Sequence, residues 1–214
     1  MFFAPGVNYE LHRVTGLYSP ALRFPVPGEL FLWRLRGEWH MATATNGRNW
    51  LTLDERRRAK GFNNPVTGRQ FSVGITVLRM IRSKMLNCDP IAVRLDTTAD
   101  DHVMVKVPNE NRIIMADVSY VGMWVVIAVS AGRVGIGLVN PRGALSSQAS
   151  GVLDAAQIQA RERSHHRAWD ALGRLPLAPE TRWHCLVLPM PGAVRGAVTV
   201  DEPIRNVTAF GWTS

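Results

Sequence analysis

The chain has 214 residues, a formal net charge of +8, and 46% hydrophobic against 20% charged residues. That balance excludes a disordered segment and leaves room for one large domain or two small, closely packed ones with a real core. No apolar run reaches the roughly 18 residues of a membrane-spanning helix, since the longest candidate, Val118 to Val129, is interrupted by Tyr120 and Gly122 and reads as a core strand.

The N-terminal stretch Met1-Phe2-Phe3-Ala4-Pro5-Gly6 has neither the basic start nor the apolar core of a signal peptide, so the expectation is a cytoplasmic protein without a membrane partner. The first 30 residues, rich in Pro and Gly, predict extended or irregular structure lying on the body. Phe31 to Leu35 alternates as a strand does. Thr52-Leu53-Asp54-Glu55 opens a helix, with Thr52 as N-cap and Glu55 at the capping-box position, and Asn63 to Gly68 breaks it. From Arg69 to Leu86 the apolar residues Phe71, Ile75, Leu78, Ile81 and Met85 recur at three- and four-residue spacing, which predicts an amphipathic helix with Arg79, Arg82 and Lys84 toward water. Beyond Asp89-Pro90 the period shortens. Ile91 to Leu95, Val103 to Val107, Ile113 to Val118, Trp124 to Ser130 and Val134 to Val139 read as short strands. Pro141 to Gly151 reads as a linker, Asp154 to Leu172 as a helix ending at Gly173, and Trp183 to Leu188 and Ala193 to Val200 as two further strands. A strand–helix–strands order thus occurs twice.

Two cysteines, Cys88 and Cys185, are too few for a disulfide framework and lack metal-finger spacing, so both are expected as buried thiols. The positive charge favours acidic partners of any kind. The basic runs Arg56 to Lys60 and Arg161 to Arg167 have no RNA-binding aromatic motif or zinc finger beside them, which argues against nucleic acid.

Leu51 to Leu95, LTLDERRRAKGFNNPVTGRQFSVGITVLRMIRSKMLNCDPIAVRL, is similar to the N-terminal half of the surfactin-type 4′-phosphopantetheinyl transferases, with an "xxxER…RF" helix, a break, an "R…LLR" helix and "DP…I". Ala116 to Asn140, ADVSYVGMWVVIAVSAGRVGIGLVN, resembles without a gap the family's "FNISHSG-WVV-A-S…IGID-E" block, and PGAVRGAVTV resembles its closing strand. The resemblance implies an α+β fold of two pseudo-symmetric halves, 1–134 and 135–214, with coenzyme A held in the cleft between them. It also implies transfer of the phosphopantetheine arm to a carrier-protein serine with Mg²⁺, an ion that takes oxygen ligands, one or two of them carboxylates. Here Gly137 stands at the Asp of "GID-E" and Val139 at the Glu, so the expectation is no metal. Ser119-Tyr120-Val121 replaces "SHS", Asp117 replaces the preceding Asn, and no "GKP" occurs between Leu95 and Met115. Anchoring the "W-x-x-K-E-A" helix on Ala171-Leu172-Gly173 puts His165 and His166 at its Lys and Glu, and Asp170 at its second Lys.

The residues carry two readings. Asp117 beside Tyr120 could transfer a proton on a bound substrate, as could one of His165 and His166, since neighbours on a helix point about 100° apart. Alternatively Asp117 caps a turn, Tyr120 fills space, and the histidines are a solvated pair. With Ser119, Trp124, Gly137, Val139 and Arg69 as the lining of the former coenzyme cleft, the expected function is a metal-free biosynthetic tailoring step, such as cyclisation or isomerisation of a polyketide- or peptide-type intermediate. The alternatives are a pseudoenzyme that binds an acidic acyl or peptidyl carrier protein, and a transferase with relocated ligands. No cofactor is expected, retained coenzyme A binding being the competing reading through Arg56 to Lys60 and Arg69. Cys88 at a helix end reads as structural.

Overall fold

A computed structural model describes residues 4–13, 22–37, 47–97, 103–107, 113–141, 149–171 and 182–212. These residues form strands β1 (Asn8–His12), β2 (Glu29–Arg36), β3 (Asp96–Thr97), β4 (Val103–Lys106), β5 (Ile113–Val121), β6 (Trp124–Ser130), β7 (Val134–Val139), β8 (His184–Leu188), β9 (Arg195–Val200) and β10 (Asn206–Phe210). The helices are α1 (Gly47–Trp50), α2 (Leu53–Gly61), α3 (Pro65–Leu86) and α4 (Ala149–Asp170). The protein is a mixed α+β fold with one seven-stranded sheet, order β1-β10-β2-β6-β5-β4-β3, and one three-stranded sheet, order β7-β9-β8. Among the described residues no helix is long and apolar enough to cross a membrane.

One connectivity recurs. In β2–α3–β5–β6 the last strand lies between the first and third, antiparallel to both, and β7–α4–β8–β9 repeats that order and those directions. The division between residues 134 and 135 is crossed by β10, which enters the large sheet parallel to β1 and β2. Strand β10 has no counterpart in the sequence reading, and β1 falls where only extended or irregular structure is expected. Both are five-residue segments whose mixed polar and apolar residues carry little periodic signal.

Because side chains alternate across a strand, each sheet has two contact faces. Phe31, Trp33, Leu35, Ile114, Ala116, Val118, Val125, Ile127 and Val129 meet Val73, Val77, Leu78 and Ile81 of α3. The opposite face, with Leu30, Leu32, Met115, Val126 and Ala128, meets Ile136, Leu138, Leu186, Leu188, Val198 and Val200 of the small sheet. Helix α4 packs on the remaining face, over β7 and β9. The order of layers is therefore helix, sheet, sheet, helix, and the space between the sheets is filled with apolar side chains.

Helix α2 starts as its capping box predicts, with Thr52 Oγ1 accepting from the Glu55 amide and Glu55 accepting from the Thr52 amide at 2.7 Å. The break before α3 is shorter than expected, because Asn64 caps a helix beginning at Pro65. Gly68 lies inside that helix, where any Cβ would overlap the Ala59 carbonyl. It is a point of close approach between α2 and α3. Arg79, expected in water, is 3% exposed: its guanidinium donates to both Glu55 carboxylate oxygens at 2.6 and 2.9 Å and to the Val93 carbonyl. The helix is buried on more sides than an amphipathic stripe implies, and this buried ion pair ties α2 to α3.

Three further expectations are corrected. Ile91 to Leu95 is not a strand: Asp89 and Pro90 set a 3-10 turn at Pro90–Ala92, with the Asp89 side chain accepting from the Ile91 amide. Val118 to Val129 is not one strand but the β5–β6 hairpin turning at Gly122, whose φ of +55° suits glycine. Both cysteines are exposed. Cys88 follows the helix C-cap Asn87, and Cys185 lies on the edge strand β8. Of the linker, residues 142–148 lie outside the described residues and Ala149 already belongs to α4.

Candidate functional site

The chemistry expected of this chain centres on β7, β5 and α4. Along α4 the residues Ala156, Ala160, Ser164 and Ala168 are buried at four-residue spacing, forming one stripe of small side chains. Opposite them on β7 stand Gly135 and Gly137. A Cβ at Gly137 would overlap the Ala160 carbonyl and lie 2.6 Å from the Ser164 nitrogen, and one at Gly135 would lie 2.8 Å from the Arg167 carbonyl carbon. Helix and strand thus touch backbone to backbone. Val139 packs with Ala156, Ala160 and Ala197 in a dry cluster, at the edge of an open groove of about 620 Å³ shared with Asn140, Pro141, Ile158 and Arg163.

This arrangement does not suit the magnesium ion that the resemblance implies. At the two carboxylate positions, and at Ala156 and Ala160 facing them, the side chains offer no oxygen, and the space a carboxylate would need at Gly137 is occupied by helix backbone. Among the described residues no group of three or more His, Cys, Asp and Glu is placed to hold a metal.

Asp117 and Tyr120 do not act side by side. Three residues apart on β5, they face opposite sides of the sheet. Asp117 is fully buried, accepts the Ile136 amide of β7 at 2.7 Å, and receives the Arg167 guanidinium of α4 through Nε at 2.9 Å and through Nη2. Its carboxylate joins β5, β7 and α4, satisfying an amide on the edge of the small sheet. Tyr120 packs on the α3 side, where its hydroxyl would lie 2.8 Å from a Cβ at Gly74. Sequence reading missed Arg167, although its position on the basic segment Arg161 to Arg167 made it a candidate partner for an acid on a neighbouring strand.

His165 and His166 are both exposed on α4. The residues of α4 that face Gly137 and Val139 are Ala156, Ala160 and Ser164, and neither histidine is among them. His165 lies instead against Trp169 and Trp183, with ring centroids 6.5 and 5.3 Å away. Ser119 shares the inner face of β5 with Asp117 and is half-buried. Trp124 lies at the end of the inner face of β6, with the Arg34 and Arg36 guanidinium groups 5.2 and 5.7 Å from its ring. Arg34 also stacks 4.8 Å from Trp212 and donates to the Gly211 and Pro189 carbonyls. Burial pulls its proton affinity below the usual arginine value. Arg69 is exposed near the start of α3, next to Gln70, whose side-chain amide donates to the Gly122 carbonyl of the β5–β6 turn.

No family model matches this sequence, and no curated protein matches it closely enough to count as a relative.

Proposed function

We propose that the chain is a phosphopantetheinyl transferase-like protein that has lost the transfer reaction and acts by binding, its partner being an acidic acyl or peptidyl carrier protein. The recurrence of β2–α3–β5–β6 as β7–α4–β8–β9 supports the two pseudo-symmetric halves of that fold. The observation that carries the loss of reaction is the backbone contact of α4 with Gly137, which leaves no room for a metal-binding carboxylate. The metal-free tailoring reaction has less support, because Asp117 is committed to Arg167 and Tyr120 points to the other face. For the partner, the support is electrostatic. Arg56, Arg57, Arg58, Lys60 and Arg69 are all exposed on α2 and the first turns of α3, on a chain of net charge +8.

The test uses a purified carrier protein. With coenzyme A and Mg²⁺ its mass stays unchanged, while it forms a complex with this chain at low ionic strength that weakens steeply as salt shortens the screening length from about 30 Å to about 3 Å. A mass gain of the carrier would overturn the loss of transfer, and absence of a complex at low salt would overturn the partner.

A further inference from the structure

The small sheet is only partly covered by α4. The glycines of β7 draw the helix onto β7 and β9, and β8, at the edge, keeps the same face open, with Cys185 exposed and Val187 39% exposed. The Ser164 and Thr199 hydroxyls, 2.7 Å apart and buried, lock the helix there. An open groove of about 360 Å³ results, lined by Arg161, Glu162, His165 and His166 along one wall and by Trp183, Cys185 and Thr199 along the rest. That volume is within the range of about 300–1,000 Å³ common to small-molecule sites. Arg161, His165 and Trp169 follow one another at four-residue spacing, so a cation, an imidazole and an indole stand in one row along the helix. Trp169 is 46% exposed and its ring centroid is 6.2 Å from that of Trp183. Beside this groove His165 and Trp169 are exposed and Trp183 is half-buried, and exposed ring surface of this kind is typical of a surface that stacks on a partner.

The geometry points to a binding site for a planar aromatic acid, independent of carrier-protein binding. Its ring would lie over the Trp183 indole, which already meets His165 edge to face with ring centroids 5.3 Å apart. Its acidic group would meet the Arg161 guanidinium, whose fork fits a carboxylate or phosphate. Glu162, on the same wall, favours a ligand that also carries a hydrogen-bond donor.

Calorimetric titration with 3-hydroxy-2-naphthoate, 2-naphthyl phosphate and the uncharged 2-naphthol distinguishes the possibilities. At least one acidic probe is expected to saturate and to bind better than 2-naphthol, and which acid does so identifies the anion. Trp183→Ala should weaken it about tenfold, from lost stacking and burial. Arg161→Gln should weaken the acidic probes severalfold and leave 2-naphthol unchanged, with the melting temperature of each variant close to that of the parent. Absence of saturable binding, 2-naphthol binding as tightly as either acid, unchanged affinity in both variants, or capture of tetramethylammonium in preference to the acids would each overturn the assignment.

Discussion

Helices α3 and α4 have 22 residues each and occupy the same place in the two strand–helix–strand–strand units, yet they meet their sheets by different means. Helix α3 presents Val73, Val77, Leu78 and Ile81 to a layer of large side chains. Full burial of each is worth about 1.5–3 kcal/mol. Helix α4 presents alanines and a serine to two glycines, so its contact is backbone on backbone with almost no side-chain volume between. Side-chain packing of the first kind leaves room for substitution. Backbone contact of the second kind removes the space in which a catalytic or metal-binding side chain could stand against β7, and it leaves His165 and His166 exposed while Arg167 reaches Asp117.

That contrast can be broken first at Gly137. Gly137→Asp should cost about 5 kcal/mol or more, since it adds overlap with the helix backbone to a buried charge without a counterion. Chemical denaturation measures it, and a variant of parental stability that binds Mg²⁺ would show that the position is open. Asp117→Ala should cost about 3–5 kcal/mol, because the Ile136 amide and the Arg167 guanidinium both lose their acceptor. On the other helix, Leu78→Ala should cost about 3 kcal/mol through the cavity it leaves. Ser164→Ala should cost about 1–2 kcal/mol, since its bond to the Arg161 carbonyl is lost and the buried Thr199 hydroxyl loses a partner, and a loss as large as that of Leu78→Ala would mean that α4 depends on side-chain packing after all.

The smallest effect is a pH dependence of two signs. Hydrogen bonds from Arg23 hold the Glu29 carboxyl below its ordinary range, so its contribution is present above the unfolded value and is lost as pH falls through the folded one. Burial raises the Asp201 carboxyl, against the lowering effect of the Arg133 amide and guanidinium. Its contribution is full below the unfolded value and is lost as pH rises through the folded one. In denaturation midpoints followed from neutral to acidic pH, Glu29→Gln should flatten the acid loss and Asp201→Asn should steepen it. The same slope in both variants would contradict this assignment of signs.

Local signals were legible where a few neighbouring residues decide the outcome. The Thr52–Glu55 capping box, the apolar period of α3 and the short apolar runs of β5, β6, β7 and β9 follow from contacts within a turn or along a strand. Period two also separates Asp117 from Tyr120, and with the strand known, the sequence alone places them on opposite faces. The candidate site was less legible, because partners distant in the chain set it. Arg167 meets Asp117 across 50 residues, and Arg79 meets Glu55 across 24. An arginine that such an acid receives can be buried, where hydropathy alone places it in water.

By itself the sequence determined that the chain folds, where most of its helices and strands lie, and that Gly137 and Val139 supply no carboxylate. Only the tertiary structure decided that a carboxylate has no room at Gly137: α4 rests directly on the glycines of β7. It also decided where the histidines of α4 look, since docking of the alanine stripe fixes the rotation of the whole helix and turns His165, with Trp169 one turn further on, toward Trp183. A helix's rotation about its axis depends on the surface that receives it, and that surface is assembled from strands far apart in the chain.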